Sequence, residues 1–501
     1  MSQPAPQPSP DFSLGVALAA IPDTGVLAGH VGDASVLLAK VSGEIHAVSG
    51  SCTHYGGPLG EGLRVGDEIR CPWHHACFNL RTGAAEKAPA FAPLSCWKVE
   101  IEGERVFVRS EQPADNKATP APAQAPKRVV IVGGGAAAFA CAQRLRERGY
   151  AGSLTLLSHD DSAPVDRPNL SKDYLAGSAP EEWMPLQPPE FYAEKHIDLQ
   201  INTEVGALHL QDNYVTTKAG KRFDYDALVL ATGAEPVHLK LPGFDLPNVY
   251  TLRSLSDTRR LIAGVKDAKS VAVVGAGFIG MEAASALRAR GLDVHVIAPE
   301  TLPLARIIGT QLADHLVQLH RSNGVHFHLE CQTQAFDGRT LTLSNGTTLN
   351  VDAVLVGVGV RPRTTLAEQA NLACDNGILV NAQLRTALPN VYACGDVARY
   401  PHGDGLARVE HWVHAERQGQ AVAGNLLGDQ HTFDDPPFFW THHYGIDLRY
   451  LGHGRGWTRV EVEGRPADND CLAKFYHDDA LVAAAAIGRD RDLLALQPQL
   501  R

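Results

Sequence analysis

Between residues 12 and 110 the chain alternates apolar and polar positions in short runs set off by glycines, as in SVLLAKVSGEIHAVSG and WKVEIEGERVFVRS. A period of two belongs to half-buried antiparallel strands, so the pattern predicts a small all-β domain over 12–110. The run EQPADNKATPAPAQAP, 111–126, is rich in Ala and Pro and poor in large apolar side chains, which predicts a semi-extended linker. From Lys127 the texture changes to continuous β-run, glycine turn and amphipathic helix. KRVVIVGGGAAAFACAQRLRERGY returns later as KSVAVVGAGFIGMEAASALRARGL, so two related βαβ units of Rossmann type are expected. Beyond residue 431 short strands reappear in LRYLGHG, RVEVEG and CLAKFYHDDALVAAAAIG, predicting a separate α+β domain over 431–501.

A chain of 501 residues has room for two to four domains, each with its own core and cofactor. Lys and Arg total 45 against 56 Asp and Glu, a net charge of -11, which disfavours attraction to phosphate backbones and anionic membranes. Nucleic acid is not an expected partner. The start MSQPAPQPSPDFSLG lacks a basic segment followed by an apolar core, and no run approaches the ~20 apolar residues that cross a bilayer, so no membrane insertion is expected. The nine cysteines have no disulfide-framework spacing, which fits a reducing, cytoplasmic setting.

The chemistry begins at SCTHYGGPLGEGLRVGDEIRCPWHHACFNLRTG, 51–83, where Cys52-x-His54 is followed by Cys71-x-x-His74. Two Cys and two His suit structural zinc or a Rieske [2Fe-2S] cluster, in which thiolates hold one iron and imidazoles the other. Zinc fingers group Cys with Cys and His with His. Here each turn supplies one of each, which favours the cluster and leaves a zinc ribbon as the alternative. Gly56, Gly57 and Pro58 permit a tight first loop, and CPWHHACFNLRTG resembles the second cluster-binding box of Rieske proteins. His75 falls off the box spacing and is expected at the surface or behind the ligands, while Cys77 and Cys96 read as buried apolar thiols.

Two glycine fingerprints follow, each after a β-run and before a helix, where glycine lets backbone approach a pyrophosphate at a helix N-terminus. The first is Gly133-x-Gly135-x-x-Ala138, with SLTLLSHD ending at Asp160, placed to hold a ribose hydroxyl. The second is Gly275-x-Gly277-x-x-Gly280, followed by DVHVIAPE. There Ala298 stands at the expected strand end and Glu300 is the nearest carboxylate, which weakens the preference for NADH over NADPH without supplying an arginine for a 2′-phosphate.

With LVLATGAEP (228–236) and TALPNVYACGDVARY (386–400), the fingerprints resemble the FAD- and NAD-binding flavoprotein reductases. DRPNLSK (166–172), RVEHW (408–412) and FFWTHHY (438–444) are more closely similar to ferredoxin reductases of oxygenase systems and to apoptosis-inducing-factor-like proteins, the latter including a subgroup with a Rieske N-terminus. The resemblance spans nearly the whole chain. It implies an FAD domain over 127–247 and 372–430, an NAD domain over 248–371, and FAD, NADH and [2Fe-2S] as cofactors. By position it implies that Gly133, Gly135, Ala137, Ala138 and Asp160 hold the ADP half of FAD and that Val205 meets the adenine. Thr232 lies in the flavin-binding LVLATGAEP run, Arg253 meets the flavin pyrophosphate and Asp396 the ribitol or pyrophosphate. Trp412 and Trp440 fall near the isoalloxazine, or in ordinary core packing. Arg167 and Lys172 face the flavin, with Glu282 as partner of the lysine, a cation there stabilising anionic reduced flavin. Gly275, Gly277, Gly280 and Glu300 serve NADH. Cys52, His54, Cys71 and His74 hold the irons, with the imidazole edge exposed as the electron exit or entry.

Two departures are informative. Respiratory Rieske proteins join their loops by a disulfide, and the equivalent positions here are Gly57 and Trp73, which implies the ferredoxin-like, lower-potential kind. Disulfide reductases of this fold place a redox Cys pair after the first fingerprint, where only Cys141 occurs, so electrons are expected to leave the flavin by another route. The expected activity is NADH oxidation through FAD and the cluster to an acceptor, a protein or small molecule of unknown identity. A small-molecule or quinone reductase with a regulatory Rieske domain, and a redox-responsive signalling protein, are the alternatives.

Overall fold

The computed structural model describes residues 9–114, 124–454 and 456–500. Most of the expected linker falls outside them. The chain divides into two units, one running to Thr119 and including Arg489–Pro498, the other built on Pro120–Gly488.

Over 12–110 the N-terminal unit is built of strands joined by short turns, as the alternation predicts. Six strands pair antiparallel in the order Val16–Ala17, Arg105–Gln112, Cys96–Glu102, Glu44–Ser49, Ala34–Val41 and Leu27–Val31. A smaller sheet runs Leu63–Val65, Glu68–Arg70, Cys77–Asn79, Ala85–Lys87, with Ile69 opposite Phe78. Leu37, Leu59, Ile69, Phe78 and Leu80 form one core with Cys52 and Cys71, which anchors both Cys/His turns from beneath. The expected C-terminal domain over 431–501 is divided here. Its last helical segment belongs to the N-terminal unit, where Arg70 Nη1 donates to Gln497 Oε1 at 2.8 Å.

The second unit repeats one plan twice. A parallel sheet takes the order Asp198–Gln200, Ser153–Leu157, Arg128–Val132, Ala227–Leu230, Val391–Ala393, and a second takes Val249–Tyr250, Ala353–Val356, Ser270–Val274, Asp293–Ile297, Val325–His328. Parallel strands are covered on both faces, which is why RVVIV and SVAVV are apolar almost throughout. Each sheet carries a three-stranded antiparallel flap, Val205–His209 to Arg222–Asp224 and Thr333–Phe336 to Thr348–Asn350. Helix Ala136–Glu147 lies against helix Trp412–Leu426, and Gly419 permits the approach, since a Cβ there would collide with the Ala137 carbonyl. The five-stranded antiparallel sheet with edges Phe438–His443 and Arg459–Arg465 completes the unit, its central alanine-rich strand Ala480–Ile487 pairing Ala486 with Arg449.

Candidate functional site

The two Cys/His turns share one backbone pattern. Cys52 N–H donates to Gly57 O at 2.9 Å and Gly56 N–H to Cys52 O at 2.8 Å; in the second turn Cys71 N–H donates to Ala76 O at 2.8 Å and His75 N–H to Cys71 O at 3.1 Å. Gly56 and His75 are therefore equivalent, and both are left-handed, at φ 76° and 60°. Of the two places expected for His75, the structure takes the one behind the ligands: it is fully buried, in a turn position that glycine fills in the first loop. The thiols of Cys52 and Cys71 are within hydrogen-bonding reach, and His54 Nδ1 lies 3.1 Å from His74 Nδ1. The donors thus sort into a thiol pair and an imidazole pair, and among the described residues no three of them close on a single metal position, which suits two irons better than one tetrahedral zinc. A Cβ on Gly57 would come within 2.7 Å of Cys71 Sγ and 3.2 Å of Trp73, so the positions that carry a bridge elsewhere here make a close apolar contact. The imidazole edge is less open than expected. His74 is 7% exposed, and Tyr55, 43% exposed, stacks on His54 at 3.9 Å. Cys77 is buried as expected, whereas Cys96 is half-buried.

In the second unit one cavity of about 1830 Å³ is bordered by both glycine fingerprints. Gly133, Gly135, Ala137, Asp160, Arg167, Lys172, Val205, Thr232, Arg253, Asp396, Trp412, Trp440, Gly277, Gly280 and Glu282 all line it. Ala138, Gly275 and Glu300 do not. Ala138 is wholly packed, Gly275 closes the turn at φ 106° against the Gly357 carbonyl, and Glu300 sits on an exposed turn past the buried Ala298. The strands before the acidic positions stop at Leu157 and Ile297, earlier than the sequence suggested.

Both fingerprint helices start on a glycine with no side-chain cap, so their first N–H groups face the cavity unsatisfied. A Cβ on Gly277 would meet no protein atom within 4 Å, so glycine at that position leaves room that the protein itself does not use. Around the same cavity Arg253 Nε, Arg408 Nε and His411 Nδ1 are buried without a protein partner. Two unmatched arginine N–H donors, an unmatched imidazole nitrogen, bare helix N-termini and glycine-made space fit two phosphate-bearing dinucleotides.

Charged pairs order the lining. Arg167 Nη2 donates to Asp160 Oδ2 at 2.8 Å, and Arg253 Nη2 to Asp396 Oδ2 at 2.7 Å. Burial, then the neighbouring Arg253, pull Arg167 below the usual arginine range. Lys172 Nζ lies 2.9 Å from Glu282 Oε2, and the pair is buried, with side chains 12% and 2% exposed. Lys172 Nζ also stands 5.6 Å from the Trp440 ring centre. Both tryptophans are partly exposed to the cavity rather than lost in the core.

Sequence reasoning missed Ser171, Thr441 and His443. Ser171 Oγ donates to Glu282 Oε2 at 2.6 Å and Thr441 Oγ1 to Glu282 Oε1 at 2.7 Å. The available signal was two polar residues, Thr441 and His443, on one face of a strand between aromatic positions. Arg408 and His411 in RVEHW were likewise unassigned.

Residues 127–419 match the pyridine nucleotide-disulphide oxidoreductase family. The chain belongs to that family. Residues 18–98 of this oxidoreductase match the Rieske [2Fe-2S] domain and 438–500 the reductase C-terminal domain. It is 32% identical to human Apoptosis-inducing factor 3 over 98% of this chain and 84% of the human protein. It is 34% identical to Rhodocoxin reductase of Rhodococcus erythropolis, over 73% of this chain and 88% of that protein. A crystal structure of the covalent putidaredoxin reductase-putidaredoxin complex superposes with a TM-score of 0.71 at 31% identity, covering 75% of this chain and 93% of that one. The oxidoreductase is a flavoprotein reductase whose cofactors are FAD, a pyridine nucleotide and a Rieske [2Fe-2S] cluster. Family membership does not bring a redox disulfide with it: Cys141, beside the first fingerprint, is a wholly buried free thiol. Among the described residues no helix is long and apolar enough to cross a membrane.

Proposed function

We propose that this reductase takes hydride from NADH and releases electrons singly through its own Rieske cluster to an acceptor protein. The observation that carries the reading is the single cavity shared by two fingerprints in a chain that also bears a paired Cys/His site. Bound FAD supplies the two-electron to one-electron exchange, and the cluster supplies a one-electron carrier.

The chain's part is binding and placement. The bare helix N-terminus at Gly135 and the Arg253 guanidinium hold the flavin pyrophosphate, while Asp396, fixed by Arg253, serves the ribitol. Asp160, steadied by Arg167, takes the adenosine ribose, and Val205 faces the adenine. Gly277 and Gly280 admit the NADH pyrophosphate. Trp412 and Trp440 wall the reacting end, and Lys172, oriented by Glu282, presents its cation there. Cys52 and Cys71 hold one iron, His54 and His74 the other.

Titrating the protein anaerobically with NADH, with flavin followed by absorbance and the cluster by electron paramagnetic resonance, tests the route. Flavin bleaching together with a Rieske signal of low average g supports it; bleached flavin beside a cluster that stays oxidised breaks it. Cys52→Ser is expected to abolish acceptor reduction while NADH still bleaches the flavin. Likeness to Apoptosis-inducing factor 3 over 98% of the chain favours a second reading, a redox-responsive signalling protein. Slow turnover with a long-lived reduced state would support that reading, and rapid multiple turnover would remove it.

A further inference from the structure

Glu282 is where three donors from two separate segments meet. Its Oε2 accepts from Lys172 Nζ at 2.9 Å and Ser171 Oγ at 2.6 Å, and its Oε1 accepts from Thr441 Oγ1 at 2.7 Å. A group accepting on both oxygens from three donors acts as a carboxylate. Thr441 has one hydroxyl proton, and it is committed to Glu282. Toward His443 Nε2, 2.9 Å away, the hydroxyl therefore accepts, so His443 carries its proton on Nε2.

His443 Nδ1 is then an acceptor, and His320 Nε2 stands 3.1 Å from it. His320 must donate, which places its proton on Nε2 and leaves Nδ1 a bare lone pair. That atom is buried without a partner, the cheaper of the two possibilities, since an orphaned buried N–H is rarer than an unmatched acceptor. The links run one way, from His320 through His443 and Thr441 to Glu282. His320, His443 and Thr441 are all fully buried. Burial, then the neighbouring His443, lowers His320 to about 2; burial, then Lys172, lowers His443 to about 3, so both rings are neutral donors.

The charged groups around this file are few and mostly paired with one another. Lys172 and Asp173 come from the segment before it, and Asp447 from the adjoining strand, held by His442 and Arg449. Arg288, on the Glu282 helix, stands near Tyr444. None of them replaces a link.

We propose that His443 and His320 are positioning residues for the Lys172–Glu282 pair, acting through Thr441 as a one-way file of hydrogen bonds that fixes Glu282 as carboxylate and thereby aims Lys172 into the cavity. The proposal rests on the functional reading above, in which Lys172 serves the reacting end of the flavin. It joins the helix Ala305–Ser322, the helix Phe278–Ala289 and the strand Phe438–His443 to one lysine.

The test uses the full-length holoprotein. With 15N-labelled histidine, two-bond nitrogen–proton correlation reads each ring's tautomer, with peaks assigned through His443→Gln and His320→Gln. Nε2–H on both rings is expected, and Nδ1–H on His443 overturns the file. Thr441→Val keeps the shape and removes the hydroxyl; Thr441→Ser retains it. Thr441→Val is expected to lower the flavin midpoint potential by about 30 mV, a tenfold change for a two-electron couple. It should also lower kcat for NADH-driven ferricyanide reduction about tenfold with KM unchanged, the order of one lost hydrogen bond to a charged group. Thr441→Ser should restore both, and His320→Phe should shift both in the same direction by less. A wild-type potential and kcat in Thr441→Val overturn the proposal, as does a full defect in Thr441→Ser. Wild-type flavin left oxidised by NADH would sink the functional reading instead, and the tautomers, read without NADH, still judge the file.

Discussion

Lys172 and Glu282 lie 2.9 Å apart although 110 positions separate them, and the contact ties the segment after the first fingerprint to the helix after the second. Breaking a buried pair by removing one partner leaves the other charge uncompensated, which typically costs 3–5 kcal/mol. Lys172→Met should therefore destabilise the protein by about 3 kcal/mol, because Ser171 and Thr441 still hold the carboxylate but no cation faces it. Glu282→Gln keeps the shape but turns one accepting oxygen into an N–H donor; because Lys172, at 12% against 2% exposed, still reaches solvent, it should cost less than the buried, unpaired carboxylate. Denaturant midpoints of the two variants against wild type give the ranking, and midpoints equal to that of the wild type would mean the pair contributes nothing to stability.

Glycines in the two fingerprints should fail in different ways. A Cβ on Gly133, at φ 134°, runs into the Ala231 carbonyl, whereas one on Gly277 meets no protein atom. Gly133→Ala is expected to lower Tm and lose FAD. Gly277→Ala should leave Tm unchanged and weaken NADH binding about tenfold, the order of a lost hydrogen bond to a charged group. Calorimetry and NADH titration of both variants check the contrast.

Gly57→Ala should act on the cluster alone. The new methyl would press within 2.7 Å of Cys71 Sγ and against Trp73, displacing one thiol of the pair. Iron per chain should fall well below that of the wild type while flavin content is kept. Full iron loading would show that the loops yield without cost.

Stability should depend on pH through His442 and Asp447, whose Nδ1 and Oδ1 lie 2.7 Å apart. The hydrogen bond to Asp447 raises His442 above its usual 6.5, against burial. Burial pushes Asp447 up, but His442 and Arg449 outweigh it and leave the carboxyl below its usual 3.8. The raised histidine stabilises fully below pH 6.5 and loses its contribution as pH climbs through the higher folded value. The lowered carboxyl contributes fully above pH 3.8 and loses it as pH falls through the lower folded value. The pair is thus complete between those limits, and Tm should decline on the alkaline side. His442→Gln should flatten that decline between pH 6 and about 8 relative to wild type. Parallel Tm curves for the two proteins would refute the assignment.

Local pattern alone set much of this protein. Alternation gave the N-terminal sheets, continuous apolar runs gave the parallel strands, and glycine spacing marked both strand-to-helix turns that border the cavity, because each of these signals is carried by neighbours in sequence. One Cys and one His per turn likewise pointed to a two-iron site before any coordinates. The tertiary structure decided what depends on distant partners. It paired Arg253 with Asp396, buried His75 at a left-handed turn, and assigned the last helical segment to the N-terminal unit. It also brought His320 to His443 across 123 positions. Burial and hydrogen-bond partnership are properties of packing, not of spacing. The histidines of FFWTHHY therefore had no legible role until the helix Ala305–Ser322 was laid against them.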